Sequence, residues 1–167
     1  MILTIWRHGQ AEERIPDSQR ALTESGRDDV GVGCHRLHKA CQVRGLAEPD
    51  QILYSSWLRT SQTAGIIGAA FSDAKTEAVS ALLPASDVTD VDNLLSALID
   101  AEGSDEHVVL VSHQPLVSEL VDRYLGHAGA VPFLSPGGFI TLSLDMAIAG
   151  CASLLFCAFP SEYEVGV

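Results

Sequence analysis

The chain has 167 residues, of which 47% are hydrophobic and 19% charged, and its formal net charge is −12. This composition is typical of a folded protein and not of a disordered chain, and the length predicts a single domain over residues 1–167. The acidic balance disfavours nucleic acid and anionic membranes as partners, and no apolar run is long enough to span a bilayer.

The charges are distributed unevenly along the chain. Up to Arg59, eight basic residues face eight acidic ones, whereas beyond it Lys75 and Arg123 face fourteen carboxylates. Any site for an anion must therefore be a local pocket, built mostly from the first third of the sequence.

The four cysteines show no CxxC spacing. Cys34 and Cys41 lie two helical turns apart, about 10 Å, which is too far for a disulfide. Buried thiols in a reducing compartment are therefore expected, and a start at Met1 without a basic leader adds to the expectation of a cytoplasmic protein. The alternative is a metal site formed by Cys34, His38 and Cys41, for which a fourth ligand is missing.

The predicted elements alternate between strand and helix. The first strand, Ile2–Ile5, ends in Trp6-Arg7-His8-Gly9, and a polar loop leads to a helix that begins after Thr23 as N-cap and ends at Gly45. Further strands are predicted at 51–55, 77–79 and 107–112, and further helices at 56–70, around 91–98 and from Pro115 to Gly126.

The last two predicted strands, 139–144 and 153–159, are separated by about eight residues. That is too few for a crossover helix and predicts an antiparallel hairpin, whereas the continuous apolar run at 107–112 is typical of a buried parallel strand. The predicted fold class is α/β: a three-layer α/β/α sandwich with a mostly parallel sheet and a C-terminal antiparallel hairpin.

Three strand-to-helix junctions carry cation-capable side chains: Arg7 and His8 after the first strand, Arg59 after the second, and His113 after the strand at 107–112. The carboxyl ends of parallel strands share one edge of the sheet, so these residues are expected to converge. Gly9 lets the backbone turn and a ligand approach closely. Phosphate is the natural ligand for such a cluster of cation-capable groups.

Four stretches of the chain together form a recognisable pattern: Arg7-His8-Gly9, Arg20–Gly26, Ser55–Thr63 and Val111–Leu116. In these stretches the chain resembles the histidine phosphatase superfamily, which includes phosphoglycerate mutases and acid phosphatases, and within it the short phosphohistidine phosphatases of the SixA type. In order and spacing these stretches cover most of the first 120 residues.

The resemblance implies that His8 is the catalytic nucleophile and becomes phosphorylated. It implies that Arg7, Arg59 and His113 bind the phosphoryl oxygens, and that Arg20 guides the phosphoryl group or the substrate. Neither a metal nor another cofactor is expected, because the arginines supply the positive charge. His8 must be neutral to attack and His113 is most useful as a cation, so their pKa values are expected to lie apart.

The sequence departs from the family pattern at two places. Ser56 stands where the family usually has proline, a small change because serine also caps helices. Larger members carry a glutamate general acid after the strand near Val79, but here the stretch 79–87 contains only Asp87. A protonated phosphoimidazole leaves as a neutral ring and needs no such acid, so the difference favours a P–N over a P–O substrate.

The sequence thus predicts a metal-independent phosphatase with a phosphohistidine intermediate, acting on phosphohistidine in a partner protein of a phosphorelay or phosphotransfer system. One alternative is a phosphatase of small phosphate esters. The other is a noncatalytic phospho-binding module, against which the presence of His8 argues.

Overall fold

The strands and helices follow one another as the hydrophobic pattern of the sequence predicts. A computed structural model describes residues 1–102 and 107–160. The strands described are β1 (Ile2–Arg7), β2 (Gln51–Tyr54), β3 (Lys75–Ala78), β4 (His107–Ser112), β5 (Phe139–Leu144) and β6 (Ala152–Ala158). The α-helices described are α1 (Glu24–Arg44), α2 (Leu58–Ala70), α3 (Val88–Glu102) and α4 (Leu116–Leu125).

The strands form one mixed sheet in the order β3-β2-β4-β1-β5-β6. The first four in this order are parallel, β5 pairs antiparallel with β1, and β6 pairs antiparallel with β5. The predicted α/β class, with a mostly parallel sheet and a C-terminal antiparallel hairpin, is confirmed. That residues 1–167 form a single domain stays a prediction.

Helices cover both faces of the sheet, which produces the three predicted layers. On one face α1 and α2 bury Leu37 and Ile67 with Trp6 of β1. On the other face α3 and α4 bury Leu95 and Leu120 against the sheet. Because both faces are covered, all six residues of the central strand β4 are buried, which explains the apolar run Val108–Val111 between His107 and Ser112.

The ends of the helices follow local chemistry. The hydroxyl of Thr23 accepts a hydrogen bond from the Gly26 amide at 3.0 Å, and Gly45 ends α1 in the left-handed conformation, at a φ of 63°. Two starts were predicted too early: α2 begins at Leu58 and not at Ser56, and α4 begins at Leu116, directly after Pro115. None of the described helices is both long enough and apolar enough to cross a membrane.

A chain of buried polar side chains crosses the sheet near the start of β1. His107 donates its Nδ1 proton to the Ala47 carbonyl at 2.9 Å, so its Nε2 accepts from the Thr4 hydroxyl at 2.8 Å. The hydroxyl of Thr141 lies 2.8 Å from that of Thr4. This pattern requires a neutral imidazole, and burial lowers the pKa of His107 to about 4.

We predict that the free energy of unfolding falls as the pH drops from 7 to 4. The unfolded chain protonates His107 near pH 6.5 and the folded chain only near pH 4, so between these values the unfolded state binds more protons. The loss attributable to His107 is on the order of 3 kcal/mol. Urea titrations across this range should show a shallower pH dependence in His107→Gln. The matched change His35→Gln, at an exposed position, should leave the dependence unchanged, and an equally steep His107→Gln profile would contradict the prediction.

Candidate active site

The three predicted junctions meet at one edge of the sheet. The strands concerned, β2, β4 and β1, are direct neighbours. The His8 amide donates to the Ser112 carbonyl at 3.1 Å, and the Ser55 amide donates to the Val111 carbonyl at 3.1 Å. The parallel ladder therefore places the residues that follow each strand side by side, as the sequence predicts.

His8 is held in one tautomer. Its Nδ1 lies 2.8 Å from the Gly9 carbonyl oxygen, which can only accept, so Nδ1 carries the ring proton. Nε2 keeps its lone pair and accepts a hydrogen bond from Nε of Arg59 at 3.1 Å. With the residue only 8% exposed, His8 holds an unprotonated Nε2 in a fixed position.

His113 lies beside His8, with 5.2 Å between the ring centroids. Its Nε2 is 2.8 Å from the Ser55 hydroxyl, and the edge of its ring packs against Trp57 at a centroid distance of 5.2 Å. Its buried Nδ1 has no hydrogen-bond partner among the described residues. Nδ1 of His113 is therefore a buried ring nitrogen whose hydrogen-bonding capacity these residues leave unused.

Arg59 joins the pocket from the first turn of α2. The residue is 5% exposed, and its guanidinium lies over the Trp57 ring at 4.7 Å. Besides contacting His8, it donates from Nη1 to the Asp17 carbonyl at 2.8 Å and from Nη2 to the Asp17 carboxylate at 3.2 Å. Each of its three nitrogens thus donates a hydrogen bond, and Asp17 accepts those from Nη1 and Nη2.

Arg7 reaches the same edge from β1. Its Nη1 donates to the Leu134 carbonyl at 2.9 Å, and its guanidinium lies 5.9 Å from the centre of the Phe133 ring. Its buried Nε finds no hydrogen-bond partner among the residues that the structure describes. Arg7 thus retains donor capacity beside the two histidines.

Arg20, expected to guide the substrate, takes part through Asp17. Its Nη1 bonds the Asp17 carboxylate at 3.0 Å, and its Nε and Nη2 donate to the Glu12 and Ala11 carbonyls at 2.6 and 3.4 Å. The same carboxylate is shared with Arg59. Arg20 therefore stands behind Asp17 at the rim, while Arg7, Arg59, His8 and His113 line the interior.

The loop after β1 depends on two glycines in close contact. A Cβ at Gly9 would lie 2.6 Å from the Gly26 carbonyl oxygen, and a Cβ at Gly26 would lie 2.2 Å from that of Gln10. The Gly9 amide also donates to the Thr63 hydroxyl at 3.1 Å. The stretches 20–26 and 55–63 thus fix the loop that carries His8, which explains why both accompany Arg7-His8-Gly9 in the sequence.

Burial and the shared positive field depress the pKa values of both histidines. Burial, reinforced by Arg59, lowers the pKa of His8 to about 4, against the opposing hydrogen bond to Gly9. Burial, reinforced by His8 and Arg59, lowers the pKa of His113 to about 3. The expectation of a neutral His8 holds, but that of a cationic His113 is wrong for this geometry, because the two rings share one buried environment. A bound dianion would raise both pKa values.

Other candidate groups serve the fold. The Asp87 carboxylate accepts from the Thr89 and Asp90 amides at 2.8 and 3.2 Å and so caps the start of α3. Cys34 and Cys41 are buried free thiols in the core, and burial raises their pKa values to about 12 and 11. Within the described residues, no three His, Cys, Asp or Glu side chains are grouped to hold a metal ion.

Two residues of the site escaped the sequence analysis. Asp17 lies in the loop that the sequence analysis described only as polar, and Ser55 was given no role beyond ending a strand and opening the stretch 55–63. The signal for Asp17 was its position three residues before Arg20, a spacing that allows an ion pair in one helical turn. Its contact with Arg59, 42 positions further along the chain, depends on tertiary structure and had no local signal.

Comparisons with solved structures find similar folds. The protein histidine phosphatase SixA complexed with tungstate is 26% identical, with a TM-score of 0.79, over 97% of this chain and 99% of that one. A protein of Agrobacterium tumefaciens assigned as a SixA phosphohistidine phosphatase is 22% identical, with a TM-score of 0.72, over 94% and 96% of the two chains. A mycobacterial glucosyl-3-phosphoglycerate phosphatase is 18% identical, with a TM-score of 0.68, over 92% and 96%.

The last two comparisons concern the fold alone. No protein-family profile and no curated protein sequence matches the chain. The predicted resemblance to the histidine phosphatase superfamily and its SixA-type members is confirmed at the level of three-dimensional structure.

We predict that Asp17→Asn binds inorganic phosphate about three- to tenfold more tightly than the unchanged protein. The Asp17 carboxylate accepts a hydrogen bond from Arg59 and adds negative charge at the rim. The substitution removes this charge, so it weakens both the competition for the Arg59 guanidinium and the repulsion of the anion. Calorimetric titration measures the dissociation constant. Asp73→Asn, which removes one exposed charge beyond the far end of α2, is the matched control and should change it little. Weaker phosphate binding by Asp17→Asn would show that Asp17 supports the anion site instead of competing with the anion.

Proposed function

The chain has the fold of the histidine phosphatase superfamily, with SixA-type proteins among its structural neighbours, and we propose that it is a phosphatase that works through a phosphohistidine intermediate on His8. The observation that carries the proposal is the state of the His8 ring. Its Nδ1 donates a hydrogen bond to the Gly9 carbonyl, and Nε2 keeps its lone pair, in a pocket with Arg7, Arg59 and His113.

In the first step, His8 Nε2 attacks phosphorus and the bond from phosphorus to the leaving group breaks. The low pKa of His8 keeps the ring neutral at physiological pH, so no proton has to be removed before the attack. Nδ1 keeps its proton, which stays hydrogen-bonded to the Gly9 carbonyl, and the phosphorylated ring carries the resulting positive charge. Phosphorus takes the place that Arg59 Nε holds at Nε2, so Arg59 turns its donors to the phosphoryl oxygens.

Arg7, Arg59 and His113 stabilise the transferring group. The Nε of Arg7 and the Nδ1 of His113 are buried nitrogens without partners among the described residues, and a phosphoryl oxygen supplies an acceptor for each. A dianion raises the low pKa of His113 and allows it to donate as a cation. In the second step, water attacks phosphorus, the bond to His8 Nε2 breaks, and inorganic phosphate leaves.

The substrate we propose is phosphohistidine on a partner protein. The Asp17 carboxylate, which contacts Arg59, has its pKa lowered by its hydrogen bond to Arg20, which makes it a poor proton donor. Asp87 is occupied as a helix cap. An alkoxide leaving group would need a proton donor, whereas a phosphoimidazole protonated on its other nitrogen leaves as a neutral ring. Because neither Asp17 nor Asp87 is suited to protonate a leaving group, the site favours a substrate whose scissile bond is P–N.

Metal independence and a cytoplasmic location are parts of the same proposal. The half-buried guanidinium group of Arg7 and the buried one of Arg59 supply the positive charge that a metal ion gives other phosphatases. The free thiols of Cys34 and Cys41 support a reducing compartment.

We predict that the protein hydrolyses a phosphohistidine-containing protein at least tenfold more efficiently, in kcat/KM, than a sugar phosphate, because only the ester needs a general acid. Release of phosphate is measured with both substrates in excess chelator. His8→Ala should abolish hydrolysis of both while retaining part of the affinity for phosphate, and His35→Ala should behave as the unchanged protein. Preference for the ester would overturn the substrate assignment, loss of activity in chelator would overturn metal independence, and an active His8→Ala would overturn the mechanism.

A further inference from the structure

A groove separate from the active site runs between the second half of α1 and the last strand of the sheet. Its volume is about 360 Å³. Residues of the helix and of the hairpin line it, among them Arg36, Lys39, Val43, Arg44, Phe139 and Phe156. No residue of the active site takes part in the lining, so the groove is not used by the proposed reaction.

The groove concentrates positive charge in an acidic protein. Arg36, Lys39 and Arg44 are three of the ten basic residues of the chain, whose net charge is −12. Arg44 lies over the Phe156 ring, with 4.8 Å from its Cζ to the ring centroid, which fixes its guanidinium at the groove. Lys39 and Arg44 are both exposed. A basic surface at this place attracts an acidic partner at short range.

The groove also has an apolar component. Phe139 is fully buried at its base, and Phe156 is only partly covered. Val43 is 74% exposed on the helix side, although it is a β-branched apolar residue. Apolar side chains next to cations suit a partner that brings both apolar and acidic groups.

The strand beside the groove is an edge of the sheet. β6 is the last strand in the order, and within residues 1–102 and 107–160 no further strand pairs with it. Natural edge strands usually carry a charge or a proline that prevents pairing with another chain. The sequence Ala-Ser-Leu-Leu-Phe-Cys-Ala of β6 contains neither, and Leu154 is 45% exposed.

We propose that this region, which we call the β6 groove, binds an extended acidic segment of a partner protein. The segment adds to the sheet as a seventh strand beside β6, through main-chain hydrogen bonds. Because side chains alternate between the two faces of a strand, every second residue of the segment points to the α1 side. Acidic residues at these positions meet Lys39 and Arg44, and apolar residues between them cover the opposite face.

Charge favours this occupant over a second copy of the chain. Two copies paired through β6 bring two sets of Arg36, Lys39 and Arg44 close to each other, and each copy carries a net charge of −12. Both factors oppose self-association. An acidic segment of another protein instead brings carboxylates to the exposed Lys39 and Arg44 of the groove.

The test is binding of a fluorescein-labelled peptide of four Glu-Val repeats, followed by fluorescence anisotropy at about 150 mM salt, where distant charges are screened. We expect saturable binding that weakens at least about fivefold in Lys39→Glu and in Arg44→Glu. The matched control Lys75→Glu, at the opposite edge of the sheet, should change binding less than about twofold. Phosphatase activity on a small substrate should stay unchanged in all three variants, which separates this proposal from that for the active site.

Two further peptides test the binding mode. A peptide of Lys-Val repeats should not bind, and a Glu-Val peptide methylated on alternate backbone nitrogens should bind at least about tenfold more weakly, because it cannot complete the ladder. Absence of binding, equal loss in Lys75→Glu, or equal affinity of the methylated peptide would overturn the proposal. A dimer in light scattering that Leu154→Lys abolishes would assign β6 to a second copy. Binding that occurs only after removal of residues 161–167 would assign the groove to the chain's own C-terminus.

Discussion

The site depends on a buried imidazole held between one acceptor and one donor. The Gly9 carbonyl fixes the proton of His8 on Nδ1, and Arg59 faces the lone pair on Nε2. The Arg59 donor does not tolerate a protonated Nε2, and burial adds to the same preference and outweighs the Gly9 hydrogen bond, so the ring stays neutral. The rest of the architecture maintains this arrangement: parallel strands align His8 with His113, and the contact between Gly9 and Gly26 fixes the loop.

The positive field around His8 has a physical consequence for ligand choice. Arg7, Arg59 and His113 share a small buried volume, and desolvation lowers the pKa of each. Such a cluster is costly without a counter-charge and favourable with one. Asp17 supplies part of that counter-charge from the rim, where its carboxylate bridges Arg20 and Arg59. A phosphoryl group brings more charge to the interior, so we expect the pocket to bind a dianion in preference to a monoanion.

How far the sequence predicts this structure depends on whether the signal is local or tertiary. The layers, the cap at Thr23 and the meeting of Arg7, Arg59 and His113 were predictable, because hydrophobic period and parallel pairing determine them. The role of Asp17 was not, because its contact with Arg59 spans 42 residues. The expectation that the pKa values of His8 and His113 lie apart was wrong, because burial in the assembled site lowers both. The concentration of basic residues in the first third was visible, but their division between the active site and the β6 groove required the fold.

The central claim is that the phosphoryl group passes through Nε2 of His8. The direct measurement is rapid quenching of the enzyme with a ³²P-labelled phosphohistidine protein, followed by peptide mapping and ³¹P NMR of the trapped species. The account predicts an acid-labile phosphate on the peptide that contains His8, bonded at Nε2 because Nδ1 is engaged by Gly9. Phosphate on His113, on Nδ1 of His8, or on no residue during active turnover would contradict it.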